Sequence, residues 1–301
     1  MDTQLGIFAK HVSRETPEEL FDALAGFGFD CTQFNAACLG IPTLPDQMDA
    51  ALWRRAARAA QRAGVRVVAL SATFNLLDEN KFRLTDNFRR LKVLAEGATI
   101  FGTDLLTLCS GTRNQQDMWT YHPQNQSPAA WQEMVEGMRR ALEIASEHDL
   151  NLGIEPEVAN VVSSAKDGMR LITELESNRI RIVFDPANLY RPPADPRRDG
   201  HEITRALTLL CDRIAIAHCK DIAAPQEKGA GRQHGEELYT HVAAGTGILD
   251  YRHYISELRR LAPTGVPLIL HGLSEEQIPR SVAFIRRWLS EVEAPASSIN
   301  V

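Results

Sequence analysis

The stretch IRIVFDPAN, residues 180–188, joins a short apolar run to an aspartate and a proline. Its run of β-branched and aromatic residues at neighbouring positions is typical of a strand buried on both faces. We take residues 180–185 as this strand, and seven further runs share its character. They lie at residues 5–9, 31–35, 65–71, 105–109, 152–155, 214–218 and 267–271. Such runs predict a parallel sheet that is covered on both sides.

Longer amphipathic segments separate these runs and carry helix-boundary signals. Thr16 and Ser127 each precede a proline, as expected of an N-cap followed by a first-turn proline, and Gly64 is a helix-stop signal. The predicted helices are residues 17–26, 46–63, 86–101, 128–148, 165–175, 200–211, 251–261 and 275–289.

Strand–helix units repeat eight times along the chain, which predicts an α/β fold, a single-domain (β/α)8 TIM barrel over residues 1–301. The active site of such a barrel lies at the carboxyl ends of the strands. An open doubly wound sheet is the alternative, but no Gly-x-Gly-x-x-Gly motif follows the first strand. Residues 291–301 are small and polar and predict a frayed tail.

Composition and charge exclude several classes of protein. Hydrophobic residues make up 44% of the chain and charged residues 24%, values that exclude a disordered or fibrous chain. The net charge is −6 and no basic tract is present, so we expect no nucleic-acid partner. No signal peptide and no apolar run of membrane-spanning length is visible, and five cysteines indicate reduced thiols, so we expect a cytoplasmic protein without a membrane partner.

Each of the last four predicted strands ends in a residue that can bind a metal: Glu155, Asp185, His218 and His271. A single acid or histidine at a strand end is usually a cap, a rim charge or a core residue. Four of them at equivalent ends converge on the barrel axis and together predict a metal site. Two carboxylates and two imidazoles suit one divalent ion, namely Mn, Co, Fe, Zn or Mg, better than Ca²⁺.

The motifs Glu-Pro-Glu (155–157), Asp-Pro-x-Asn (185–188) and His-x-Lys-Asp (218–221) resemble those of the xylose isomerase-like TIM barrels. These are sugar isomerases and epimerases related to the endonuclease IV fold, and the resemblance extends over residues 5–289. The family places Glu, Asp, His and Glu on strands five to eight, which implies Glu155, Asp185 and His218 as metal ligands. Here His271 stands where the family commonly has the second glutamate.

The resemblance implies a metal-dependent isomerase or epimerase of a sugar, a polyol or a sugar derivative. The reaction removes a proton alpha to a carbonyl and passes through an enediolate, with Glu155 as the base and Lys220 holding the oxyanion. A metal-bound imidazole has no spare lone pair for a proton, so His271 disfavours a symmetric two-glutamate epimerase. A dehydratase or lyase acting on a keto-sugar or keto-inositol is the alternative.

Two further classes are weaker alternatives. A barrel that binds a sugar without turnover is compatible with the loss of the fourth glutamate. An abasic-site endonuclease needs three zinc ions and more histidines at strand ends, whereas His148, His201 and His253 fall in predicted helices.

Other polar residues near the strand ends predict contacts with a small carbohydrate. Glu157 and Asn188 follow strands five and six, and Lys10, His11, Gln33, Asn35 and Asn75 follow or end the first three strands. The long connection 111–127 carries Arg113, Trp119 and His122, which would suit a lid over a sugar ring, although Trp119 could instead anchor the loop. Barrels of this size commonly pair, so we expect a homodimer or tetramer.

Overall fold

The computed structural model describes residues 3–190, 201–223, 239–262 and 265–293. The strands are β1 Leu5–Phe8, β2 Cys31–Phe34, β3 Arg66–Ser71, β4 Leu105–Leu108, β5 Asn151–Ile154, β6 Ile180–Phe184, β7 Ile214–Ala223, β8 Thr240–Ala243 and β9 Leu268–Leu270. The helices are α1 Pro17–Gly26, α2 Ala50–Ala63, α3 Lys81–Phe101, α4 Pro128–Glu147, α5 Ala165–Leu175, α6 His201–Leu210, α7 Tyr251–Leu261 and α8 Ile278–Glu293.

The parallel strands close on themselves in chain order. Strands β1 to β7 pair each with the next, β7 pairs with β9, and β9 pairs with β1. Strand β8 stands outside this ring and pairs antiparallel with the end of β7, where Lys220 faces Ala243. The described residues thus form a closed eight-stranded parallel barrel with eight helices, and the predicted fold is confirmed.

The period of two along each strand decides which side chains enter the barrel. Val183, Ile216 and Ile269 belong to a small cluster inside the barrel. Their neighbours Phe184 and Ala217 belong to the large core between the strands and the helices. Because successive side chains point to opposite faces, residues two positions beyond the inner cluster point inward again, above that cluster.

Local caps move several helix starts away from their predicted positions. Helix α2 begins at Ala50 because Asp49 accepts hydrogen bonds from the first backbone N–H groups. Helix α3 begins at Lys81 because Asn80 accepts from Arg83 N. Helix α8 continues to Glu293, into the segment expected to fray, and the remaining residues 294–301 lie outside the described residues. Among the described helices, none is long and apolar enough to cross a bilayer.

The carboxylate of Asp221 fixes the end of β7 to the loop before α7. It accepts hydrogen bonds from the N–H groups of Ile222, Gly245, Gly247 and Leu249, at 2.9 to 3.1 Å, and is 1% exposed. A Cβ on Gly247 would lie 2.3 Å from Asp221 Oδ1, so glycine is required there for the close approach. The segment 245–247 is therefore folded around this carboxylate.

We expect Asp221→Ala to lower the free energy of unfolding by about 3 kcal/mol or more, because it leaves four N–H groups without their acceptor. Urea unfolding followed by circular dichroism measures this change. Asp250→Ala is the matched control, since Asp250 accepts from one N–H, that of His253, at the start of α7. Its loss should cost about 1 kcal/mol. Equal losses in the two variants would contradict the role given to Asp221.

Candidate metal centre and active site

Three of the four predicted ligands meet at the carboxyl end of the barrel. Ligand atoms of Glu155, Asp185 and His218 all lie within 4.8 Å of one another. His218 Nδ1 is 3.4 Å from Glu155 Oε1 and 3.5 Å from Asp185 Oδ2. The Asp185 and His218 side chains are buried, whereas that of Glu155 is 22% exposed. Asp185 and His218 follow Val183 and Ile216 by two positions, which is why they point inward.

The ring of His218 is held by a partner on the opposite side of the barrel. Its Nε2 lies 2.8 Å from Gln33 Oε1, and Gln33 Nε2 donates to Thr107 Oγ1 at 3.1 Å. The bond to Thr107 orients the amide so that its oxygen faces the imidazole and accepts from Nε2–H. The lone pair of the neutral ring is then on Nδ1, which faces the two carboxylates.

His218 Nδ1 is buried and has no hydrogen-bond partner among the residues described. Burial disfavours the imidazolium, but Glu155 and Asp185 outweigh it and raise the pKa of His218 to about 9. The environment therefore favours positive charge between the carboxylates. A divalent cation fits this donor set, in which a fixed imidazole nitrogen faces two carboxylates.

Lys220 lies two positions beyond His218 on β7 and forms an ion pair with Asp185. Its Nζ is 2.9 Å from Asp185 Oδ2 and donates to Asn188 Oδ1 at 3.0 Å. Asn188 Nδ2 in turn donates to Glu155 Oε1 at 2.9 Å. Burial raises the pKa of Asp185, but Lys220 and His218 outweigh it and hold that pKa well below its ordinary value. Both ends of the Asn188 amide are bonded to protein groups, which favours an orienting role over substrate contact.

His271 points inward at the end of β9 but lies outside the group of three. Its ring centroid is 5.1 Å from that of His218 in an edge-on arrangement. Its Nδ1 is 3.0 Å from Nε2 of His11. A fourth ligand at His271 stays a prediction.

A cavity of about 470 Å³ opens above this group and has the size and polarity suited to a small polar molecule. It is lined by Glu155, Glu157, Lys220, His218 and His271, together with Phe8, Lys10, Gln33, Asn35, Thr107, Met118, Trp119 and His241 among others. The lining is rich in hydrogen-bonding groups and contains few aliphatic side chains, which suits a polyhydroxylated ligand better than an apolar one.

Glu157 is the second carboxyl group in the cavity wall. The residue is 8% exposed, and the one described hydrogen bond to its carboxylate, from Ala159 N, is long at 3.4 Å. Burial raises the pKa of Glu157 to about 7, although Lys220 opposes the shift. This carboxyl group can therefore hold a proton near neutral pH and give it to a bound molecule.

The three residues of the predicted lid lie in different surroundings in the structure. Trp119 is 54% exposed and lines the cavity. Arg113 forms an ion pair with Glu133 at 2.7 Å, and His122 Nδ1 accepts from Gln124 N at the start of a short turn.

Asn75 braces the loop through both the N–H and the carbonyl of Thr112. Asn75, Arg113 and His122 are absent from the cavity lining formed by the described residues. Substrate contact by these three stays a prediction, and here each is bonded to protein groups.

Other residues also line the cavity, although their sequence context predicts little or no role for them. In the sequence, Gln33 and Lys10 were recognisable only by their place at or just after the end of a strand. In the structure, Lys10 Nζ lies 4.5 Å from the centre of the Phe8 ring. Thr107 lies within β4, and His241 lies on β8 opposite Ile222. No sequence signal marked β8, because its pairing depends on the edge that β7 offers.

The model of the xylose isomerase-like TIM barrel family matches residues 21–288 of this chain. The closed barrel agrees with this match, and the chain belongs to that family. Comparison with curated proteins gave no match.

Solved structures of similar fold include enzymes of two kinds. The 3-keto-D-glucoside 4-epimerase YcjR of E. coli matches at a TM-score of 0.70 and 16% identity, over 95% of this chain and 100% of that one. The probable 3-DHS dehydratase AsbF of Bacillus anthracis matches at 0.68 and 16%, over 95% and 98%. The IOLI protein, solved with a zinc atom, matches at 0.66 and 12%, over 96% and 98%. At these identities the likeness establishes the fold.

We expect Gln33→Leu to weaken binding of Mn²⁺ about 10–100-fold, because His218 loses the acceptor that fixes its ring. Competition with a chromophoric chelator measures the affinity. Gln33→Glu is the control, since it keeps an acceptor oxygen at the same reach and should bind within a few-fold of the parent. Unchanged affinity in Gln33→Leu would show that the amide does not support a metal ligand.

Proposed function

We propose that this protein is a divalent-metal-dependent isomerase or epimerase of a small sugar or sugar derivative. The observation that carries the proposal is the group of Glu155, Asp185 and His218, with a buried and unpartnered His218 Nδ1, at the base of a polar cavity. The epimerase YcjR, which has the same fold, supports a sugar-type substrate.

The metal would be held by Glu155, Asp185 and His218, with His271 as the proposed fourth ligand. A divalent ion in this place supplies Lewis-acid chemistry toward a carbonyl oxygen. Carboxylate and imidazole donors suit Mn, Co, Fe or Zn, with Mg as a further candidate.

Glu155 is the proposed base. Its Oε1 is oriented by Asn188 and lies near His218, and nothing among the described residues bonds its Oε2. One carboxylate oxygen can therefore serve the metal centre while the other takes a proton from the carbon beside the carbonyl. Returning that proton to the neighbouring carbon, while the hydroxyl proton moves from one of the two adjacent oxygens to the other, completes an aldose–ketose isomerisation with a single base.

Lys220 is the proposed oxyanion partner. Asp185 and Asn188 hold its ammonium group in the cavity wall, so its charge is in place before negative charge develops on the substrate oxygen. A cation fixed in this way stabilises the enediolate at little cost in reorganisation. Trp119, at the cavity wall, would cover the apolar face of a sugar ring and exclude water.

Glu157 is the observation that favours a second candidate, a dehydratase or lyase acting on a keto-sugar or keto-inositol. Elimination needs one base and one acid, and Glu157 is a buried carboxyl group that can hold a proton beside Glu155 and Lys220. The AsbF dehydratase has the same fold. Detection of a dehydrated product would decide for this candidate.

The expectations about partners and location accompany the proposal. We propose a small carbohydrate as the substrate, no nucleic-acid or membrane partner, and a homodimer or tetramer. A cytoplasmic location stays a prediction, which the five unpaired cysteines support.

We expect the purified protein to contain about one Mn, Fe, Co or Zn ion per chain, and Asp185→Ala to lose it, because the aspartate is a buried ligand. Mass spectrometry of protein purified without a metal-affinity column measures the content. Asp104→Ala is the control, since Asp104 precedes β4 at the opposite end of the barrel. A parent that binds no metal even after reconstitution would overturn the proposed centre and favour a ligand-binding barrel.

We expect Glu155→Gln to slow exchange of substrate carbon-bound hydrogen with deuterated water by about 10²–10⁴-fold, since the amide cannot take the proton. Nuclear magnetic resonance of a panel of ketohexoses, 3-keto-sugars and keto-inositols measures the exchange. Glu96→Gln, at an exposed position of α3, should leave the rate unchanged. Rapid exchange in Glu155→Gln would transfer the role of base to another residue.

A further inference from the structure

We propose that His11 is a positioning residue that fixes the ring of His271 with hydrogen on Nδ1, leaving Nε2 of His271 to bind the divalent ion. This inference rests on the proposed function and adds to it a residue outside the family's strand-end motifs. His11 follows β1 and His271 follows β9, so the pair joins the first and last strands of the barrel.

The hydrogen-bond directions around His11 follow from its backbone neighbours. Gly272 N–H can only donate, and it lies 3.2 Å from His11 Nε2, so this nitrogen is an acceptor. A neutral imidazole has one N–H, so the hydrogen of His11 is on Nδ1.

The tautomer of His271 follows from that of His11. His271 Nδ1 lies 3.0 Å from His11 Nε2, and two lone pairs at that distance would repel each other. His271 Nδ1 therefore carries the hydrogen and donates it to His11, which shares its lone pair with Gly272 N–H. The lone pair of His271 is then on Nε2, and no residue within the described segments bonds that atom.

The two inward-facing histidines are thus supported in the same way, through opposite nitrogens. His218 offers Nδ1 while Nε2–H is held by Gln33, and His271 offers Nε2 while Nδ1–H is held by His11. A fixed acceptor on the second ring nitrogen is the usual support of a metal-binding histidine, because it sets both the tautomer and the ring orientation.

Packing alone is the competing explanation for His11. The Phe8 ring centroid lies 6.2 Å from that of His11 and 5.3 Å from that of His271, so the three rings also form an aromatic cluster. His11→Phe keeps a ring of similar size but removes the acceptor. His11→Gln loses the ring but places an amide oxygen near the position of Nε2. The two variants therefore separate packing from hydrogen bonding.

The test measures the affinity for Zn²⁺ alone by chelator competition, in the parent, in His11→Phe, in His11→Gln and in the same variants combined with His271→Ala. We expect His11→Phe to weaken Zn²⁺ binding about 10–100-fold and His11→Gln to stay within a few-fold of the parent. In the His271→Ala background, His11→Phe should have no further effect, because the two residues act as one unit.

A second readout needs no metal. Long-range ¹H–¹⁵N spectra of the metal-free parent should show His271 with hydrogen on Nδ1, and His11→Phe should lose this preference. Hydrogen on Nε2 in the parent would overturn the proposal, as would an undiminished affinity in His11→Phe or an equal loss with and without His271. A parent that binds no Zn²⁺ overturns the metal centre and this proposal together, whereas Zn²⁺ binding that is indifferent to His11 overturns this proposal alone.

Discussion

The alternation of side chains along the barrel strands is the constraint on which the site depends. Val183, Ile216 and Ile269 fill the interior, so the next inward positions on these strands are Asp185, His218 and His271. These groups lie above the apolar cluster inside the barrel and away from bulk water. Burial of charge is costly unless opposite charges are adjacent. Lys220 is therefore paired with Asp185, and the other donor atoms, those of Glu155 and His218, favour a cation.

Much of the architecture was predictable because its signals are local. Each of the eight barrel strands is marked by a short apolar run, and candidate ligands that end such runs must meet once the strands are parallel and the sheet is closed. The contacts that orient those ligands were not predictable. Gln33 and His218 are 185 positions apart, and His11 and His271 are 260 apart. An amide or imidazole after a strand looks the same in sequence whether it supports a ligand or faces water.

The long connection 111–127 shows a second limit of sequence reasoning. Polar side chains in a loop that packs against a barrel must first satisfy the buried backbone of the loop itself. Asn125 does this by accepting from Arg113 N and donating to Ala159 O, and Asn75 does it at Thr112. The polar side chains that suggested a sugar-binding lid therefore mostly bond to the loop itself, whereas Trp119 lies at the cavity.

The contact between His11 and His271 also orders events during synthesis. It bridges the first and the last strand of the barrel in chain order, and β9 must pair with both β1 and β7 before the ring of strands is complete. A nascent chain or a fragment that ends before β9 contains Glu155, Asp185 and His218 but lacks the strand that closes the barrel around them. The proposed centre is therefore assembled only after β9 has been made and has paired with its two neighbours.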